Sequence, residues 1–209
     1  MKIIWKAVTY IKLDFKNMTF EKTMKMLGIF AVIVVYALIV FRSIVRFEAD
    51  IYDTLIHNAK VRDAFTVEEP FAYKFSVPEI EKNIGIGKVI TVANVYYSPQ
   101  VRQLQLCVKY NSGVAQAPTD SRIPFEFALH DTLGNTYTDY YFRTDQRYGS
   151  RYIRVCFENV EYDISENKEF KVDVTKKQEN LDTTIPETTS FDFTLEADKK
   201  RKVKYNFDW

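Results

Sequence analysis

The chain has 209 residues, 46% of them hydrophobic, with 29 Lys and Arg against 28 Asp and Glu, which is enough for one ordinary packed domain and an additional segment. Such a composition excludes a disordered or collagen-like chain. The net charge of +1 hides an uneven distribution, with Lys2, Lys6, Lys12, Lys16, Lys22 and Lys25 near the N-terminus and an acidic excess beyond Phe47, so a nucleic-acid partner, which calls for a basic folded face, is not expected.

Residues 1–25 carry Ile4, Val8, Ile11 and Phe15 at helical spacing beside Trp5, with lysines between them. That pattern predicts an amphipathic cytoplasmic tail lying at the membrane interface. Asn17-Met18-Thr19 has the form of a glycosylation sequon, but a cytoplasmic tail never meets the glycosylation machinery. From Met26 to Phe41 the sequence has neither charge nor proline, and apolar residues resume at Ile44 and Val45. Leu27 to Val45 approaches the ~20 residues that cross a hydrocarbon core, with Arg42 reaching toward the headgroups. Residues 26–47 are therefore expected to form a transmembrane signal anchor. It is expected to stay uncleaved, because Arg42-Ser43-Ile44-Val45-Arg46 stands where a small-residue cleavage site would lie. The lysine excess ahead of the helix predicts a cytoplasmic N-terminus and an extracytoplasmic C-terminal domain on a cell membrane. Membrane lipid is the first expected partner.

Residues 48–70 read as a stalk or linker. Ile51, Leu55, Ile56 and Ala59 keep near-helical spacing until Glu68-Glu69-Pro70 ends it. From residue 71 to 209 the period becomes two. Alternating runs cover Phe71–Val77, Val89–Tyr97, Leu104–Tyr110, Phe125–Leu129, Tyr137–Phe142, Ile153–Phe157, Phe170–Val174, Phe191–Leu195 and Val203–Trp209. With turn signals such as Asn111-Ser112-Gly113, Leu133-Gly134-Asn135 and Gly149-Ser150, they predict an all-β antiparallel sandwich in which each strand has one packed face and one wet face.

The order Gln103–Tyr110, a polar loop, Phe125–Asp131, the turn Thr132–Asn135, Thr136–Asp139 and the later strand Tyr152–Phe157 resembles the immunoglobulin-like extracytoplasmic domains of Gram-positive membrane proteins and lipoproteins. The resemblance covers about residues 85–175. It implies a fold and a location, not an activity.

Cys107 and Cys156 each sit mid-strand on the polar register. In an immunoglobulin-like sandwich their strands would be antiparallel neighbours. Both thiols would then lie on one outer face, either as a cross-strand disulfide or as two free thiols. A zinc site is not expected, since only His57 and His130 could add ligands. The motifs GxSxG and HExxH and a glycine-rich phosphate loop are missing, and His130 reads as a rim residue. No cofactor and no enzymatic activity are expected, and no small-molecule ligand is assigned.

The richest candidate for contact is the Tyr137–Tyr152 segment, in which Tyr140, Tyr141, Arg143, Arg147, Tyr148 and Arg151 combine the residue types enriched at binding hot spots. Lys199-Lys200-Arg201-Lys202 is expected at a hairpin tip, and 176–190 as a long polar loop. Together these readings predict a non-enzymatic accessory or structural subunit of a cell-envelope assembly with protein partners. The other reading is a receptor-like module for a cell-wall glycan or peptide.

Overall fold

The computed structural model describes residues 20–64, 69, 71–85, 87–119, 122–147, 149–177 and 188–205. The tail pattern from Ile4 to Phe15, Pro70, Tyr148, Phe207, Trp209 and most of the polar loop 176–190 lie outside them.

The uncharged run folds as its composition dictates, because with no proline and no competing polar side chain the backbone satisfies its own hydrogen bonds. It forms α1 (Phe20–Asp53), opened by a Glu21–Lys25 pair at 2.7 Å. Within α1, Phe20–Ser43 has an apolar window of mean hydropathy 2.5, none of it buried inside the protein. Its apolar side chains project on every side, Phe30, Val32, Tyr36 and Phe41 among them. A helix of a water-soluble core would hide such a surface. This one is long and apolar enough to cross a membrane.

From Asp50 onward the chain forms a second compact unit. It contains a short helix, α2 (Ala59–Ala64), and the strands β1 (Phe71–Phe75), β2 (Ile80–Gly85), β3 (Lys88–Ser98), β4 (Gln103–Asn111), β5 (Phe125–Asp131) and β6 (Thr136–Tyr137). The remaining strands are β7 (Tyr140–Arg147), β8 (Ser150–Phe157), β9 (Lys168–Lys176), β10 (Thr188–Leu195) and β11 (Lys200–Lys204). The larger sheet runs β11-β1-β3-β4-β8-β7, with β2 also on β3; the smaller runs β10-β9-β5-β6. All pairings are antiparallel. The two sheets form a sandwich, as expected.

Period-two alternation explains the core between them. Leu104, Leu106 and Val108 of β4 and Ile153, Val155 and Phe157 of β8 join Phe127 and Leu129 of β5, Phe170, Val172 and Val174 of β9, and Phe191, Phe193 and Leu195 of β10 in one buried cluster. Strand β3 contributes to it through a change of phase. Its pairing with β4 shifts between Ala93 and Tyr96, and Asn94 there has φ 50°, the geometry of a β-bulge. Ile90 and Val92 face the core before the bulge, and Val95 and Tyr97 after it.

The turn after β5 is organised by Asp131, whose carboxylate accepts from the backbone N–H of Leu133 at 3.0 Å and of Asn135 at 2.9 Å. Gly134 supplies the positive φ of 87° that this turn requires.

One expectation needs correction at the other end of the larger sheet. Lys200, Arg201 and Lys202 lie inside β11, an edge strand, and not at a hairpin tip; β10 and β11 belong to different sheets. Lys202 sits 3.7 Å above the Phe71 ring and Lys204 pairs with Glu69 at 2.6 Å. Lysines along an unpaired edge discourage pairing with another chain.

Candidate functional site

On β4 the inward residues leave Gln103, Gln105 and Cys107 for the opposite face, and on β8 they leave Tyr152, Arg154 and Cys156. That outer face was expected to be wet. Instead Gln103, Gln105, Cys107, Tyr152, Arg154 and Cys156 are all buried.

The cover comes from the segment expected to be a stalk. α1 stops at Asp53. The next residues form no helix until α2, and they lie against the outer face, so part of 48–70 belongs to the domain. Gln105 grips the backbone of this strap twice: its Oε1 accepts from Ile56 N–H at 2.9 Å and its Nε2 donates to the Thr54 carbonyl at 3.1 Å. Arg154 also donates to the Thr54 carbonyl, at 3.2 Å, and the Tyr141 hydroxyl donates to the Ile56 carbonyl at 3.4 Å. Farther along, Glu158 accepts from Asn58 and Lys60, both at 3.0 Å, and from Gln103 at 3.3 Å. Leu55 and Val61 add a small apolar cluster with Ala72, Tyr96 and Tyr205.

Asn58 also caps α2, its Oδ1 accepting from Val61 N–H at 3.1 Å. Asn58→Ala removes both the cap and a bond to Glu158, and is expected to lower unfolding stability by about 1–2 kcal/mol. Denaturant titration of the full chain reads this directly, and an unchanged midpoint would remove Asn58 from the strap's anchoring.

The two cysteines share the outer face and sit on neighbouring strands, as expected, but both are free. Cys107 lies opposite Arg154 and Cys156 opposite Gln105, so the thiols are diagonal neighbours. That diagonal spans roughly 7–8 Å between Cα atoms, too wide for a disulfide without backbone movement. Burial pushes the Cys107 thiol up to about 12, against the opposing pull of Arg154. Burial does the same at Cys156, also up to about 12. Both are protonated at neutral pH and poor nucleophiles.

The tyrosine- and arginine-rich segment is a hairpin, β7 to β8, and period-two alternation divides it between two faces. Tyr140 points into the core, edge-on to Phe127 at 5.6 Å and near Phe157 at 5.8 Å. Tyr141 points to the outer face, where its one hydroxyl proton is shared between the Ile56 carbonyl and Gln103 Oε1, 3.2 Å away, and burial raises its pKa. Arg143 is exposed and sits opposite Arg154. The Arg151 guanidinium donates to the Ala115 carbonyl, and Arg147 pairs with Ser150 at the hairpin end. These residues are not gathered into one patch.

Arg154 is deeply buried on this face, paired with Asp145 at 2.7 Å, while its Nε has no hydrogen-bond partner among the described residues. Alternation could have flagged it, because Arg154 and Cys156 share a register in β8, as Gln105 and Cys107 do in β4. What the sequence does not carry is the identity of the covering segment.

On the smaller sheet His130 is held between Thr136 Oγ1, 2.9 Å from Nδ1, and Asp173 Oδ2, 3.2 Å from Nε2. It borders a concavity of 440 Å³ with Thr132, Lys171, Asp192 and Thr194. Cys107 and Cys156 lie on the other sheet. Among the described residues, no group of three or more His, Cys, Asp or Glu side chains could hold a metal ion. No family model, curated protein or solved structure matches this chain.

Proposed function

We propose that the chain is a non-enzymatic, single-pass protein of a cell membrane, with its N-terminal end cytoplasmic and an immunoglobulin-like sandwich outside, serving as an accessory or structural subunit of an envelope assembly. One observation carries the reading: within Phe20–Ser43, α1 exposes an uncharged apolar surface from Met26 to Phe41 with none of its window buried in the protein, a surface suited to lipid or other membrane helices. The lysines ahead of it support that orientation. The strap adds support, since Thr54, the residue after α1, is bonded to the domain's own side chains.

A receptor-like module binding a wall glycan or peptide is the second reading, favoured by the concavity at His130, where polar groups stand beside Phe170 and Phe193. Two measurements decide. Protease added to intact cells should digest the sandwich while sparing α1; digestion only after permeabilisation overturns the orientation. Cross-linking followed by purification in mild detergent should retain defined membrane subunits. A chain that emerges alone and binds soluble wall fragments would favour the second reading.

A further inference from the structure

The strap covers a different kind of surface from the one between the sheets. The inter-sheet core is apolar from both sides, whereas Thr54–Val61 is bonded to Gln105, Arg154, Tyr141 and Glu158, on the face that also carries the two thiols. A surface that is never uncovered gains most from Val, Leu or Phe. Polar side chains that bond a covering backbone can exchange those bonds for water at little net cost. The Nε of buried Arg154, without a partner among the described residues, opposes closure, and water reaching it on opening would satisfy it. The apolar hold is three buried side chains, Leu55, Ile56 and Val61, of which Leu55 and Val61 belong to a cluster separate from the main core. The fastening is also concentrated, because the Thr54 carbonyl takes bonds from both Gln105 and Arg154 and directly follows Asp53, where α1 ends.

We propose that Thr54–Val61 is a releasable latch, which detaches from the outer face of β4 and β8 while both sheets stay folded. Opening uncovers Gln103, Gln105, Tyr141, Arg154, Cys107 and Cys156 and leaves the inter-sheet core intact. Since no residue separates Thr54 from α1, a pull on the helix reaches this carbonyl before any strand. The device makes the outer face conditional, hidden when the latch is closed and available when it is open.

Cys107 and Cys156 report the state of the latch. In full-length protein in detergent micelles, maleimide labelling is followed by intact mass, and global unfolding by circular dichroism on the same samples. Gln105→Ala combined with Tyr141→Phe removes three of the bonds that hold the strap's backbone. This variant is expected to label about ten-fold faster than the parent without denaturant, the effect of roughly one net hydrogen bond. Val172→Ala, a change in the core facing away from the latch, is the control; its labelling should rise only as far as its own globally unfolded fraction rises. The quantity compared is labelling in excess of that fraction. Excess labelling in the latch variant alone supports the proposal. Parental labelling in the latch variant, or labelling of every variant only across the circular-dichroism transition, overturns it.

Discussion

Introducing arginine at both Val34 and Val35 is expected to move the protein from the membrane pellet to the soluble fraction. Both residues sit in the apolar stretch of α1, and neither is buried inside the protein. The Leu, Ile, Val and Phe side chains between Leu27 and Phe41 each favour insertion by about 0.3–0.6 kcal/mol, roughly 3–7 kcal/mol in total. Two arginines at the helix centre oppose it by about 5–7 kcal/mol, enough to cancel the gain. A carbonate wash followed by sedimentation makes the measurement. If the double variant stays in the pellet as the parent does, α1 is not what holds the chain in the membrane. Arginines at the exposed strand positions Glu126 and Asp192 should leave the pelleting unchanged, since those side chains already face water.

The second large effect is expected at Asp131. Its side chain has no exposed surface, and the carboxylate accepts from Leu133 N–H, Asn135 N–H, Asn135 Nδ2 at 3.0 Å, Tyr137 OH at 3.2 Å and Lys168 Nζ at 2.9 Å. Burial by itself would raise its pKa, but the bonds from Lys168 and Asn135 outweigh it and hold the carboxyl well below the usual carboxylate range. Asp131→Asn removes the charge and turns an amide toward Lys168, leaving a nearly buried ammonium without its counter-ion. The expected loss is about 3 kcal/mol at pH 7. The sign with pH follows from the direction of the shift. A folded pKa below the unfolded one stabilises above the unfolded value, near 3.9, and that contribution fades as the pH falls toward the folded value. The gap between parent and variant in denaturant titrations should therefore be full at pH 7 and narrower at pH 3. A gap of equal size at both values would show that the charge of Asp131 is not what stabilises the turn.

Where a strand has one face in the core, the sequence announces it. Leu104-x-Leu106-x-Val108 and Phe170-x-Val172-x-Val174 became β4 and β9 with their apolar registers inward. Strand β2 was not legible, because Lys82 occupies a position where alternation calls for an apolar residue. Its amine reaches the Ser190 carbonyl and stands over the Phe191 ring at 5.4 Å, so the lysine stem does the packing. The outer half of β7 was hidden for a related reason, since Thr144, Asp145 and Gln146 at a sheet edge carry no apolar signal. The tyrosine-rich segment misled by composition: adjacent Tyr140 and Tyr141 point to opposite faces, so their density in sequence does not become density on a surface. The strap was the deepest omission. Leu55, Ile56 and Ala59 fit a helix by spacing, yet Gln105 captures the backbone at Thr54 and Ile56, a long-range contact that local pattern cannot encode. The polar register of β4 and β8 suggested an exposed face, and only the covering segment shows why it is dry.

The bulge in β3 bears on how this sequence tolerates change. Val95 and Tyr97 reach the core, and Tyr96 the outer cluster, only because an unpaired position at Asn94 resets the count along the strand. Drawing Asn94 into the ladder without shortening the strand would exchange the two sides of everything that follows, setting Tyr96 against the aromatic core and Val95 beneath the opposite layer. Removing the residue altogether would instead restore plain alternation, with Ala93 outward, Val95 inward and Tyr96 outward. A one-residue deletion at Asn94 is therefore a length change this strand can absorb, while a one-residue insertion or deletion elsewhere in it cannot be absorbed without a new bulge.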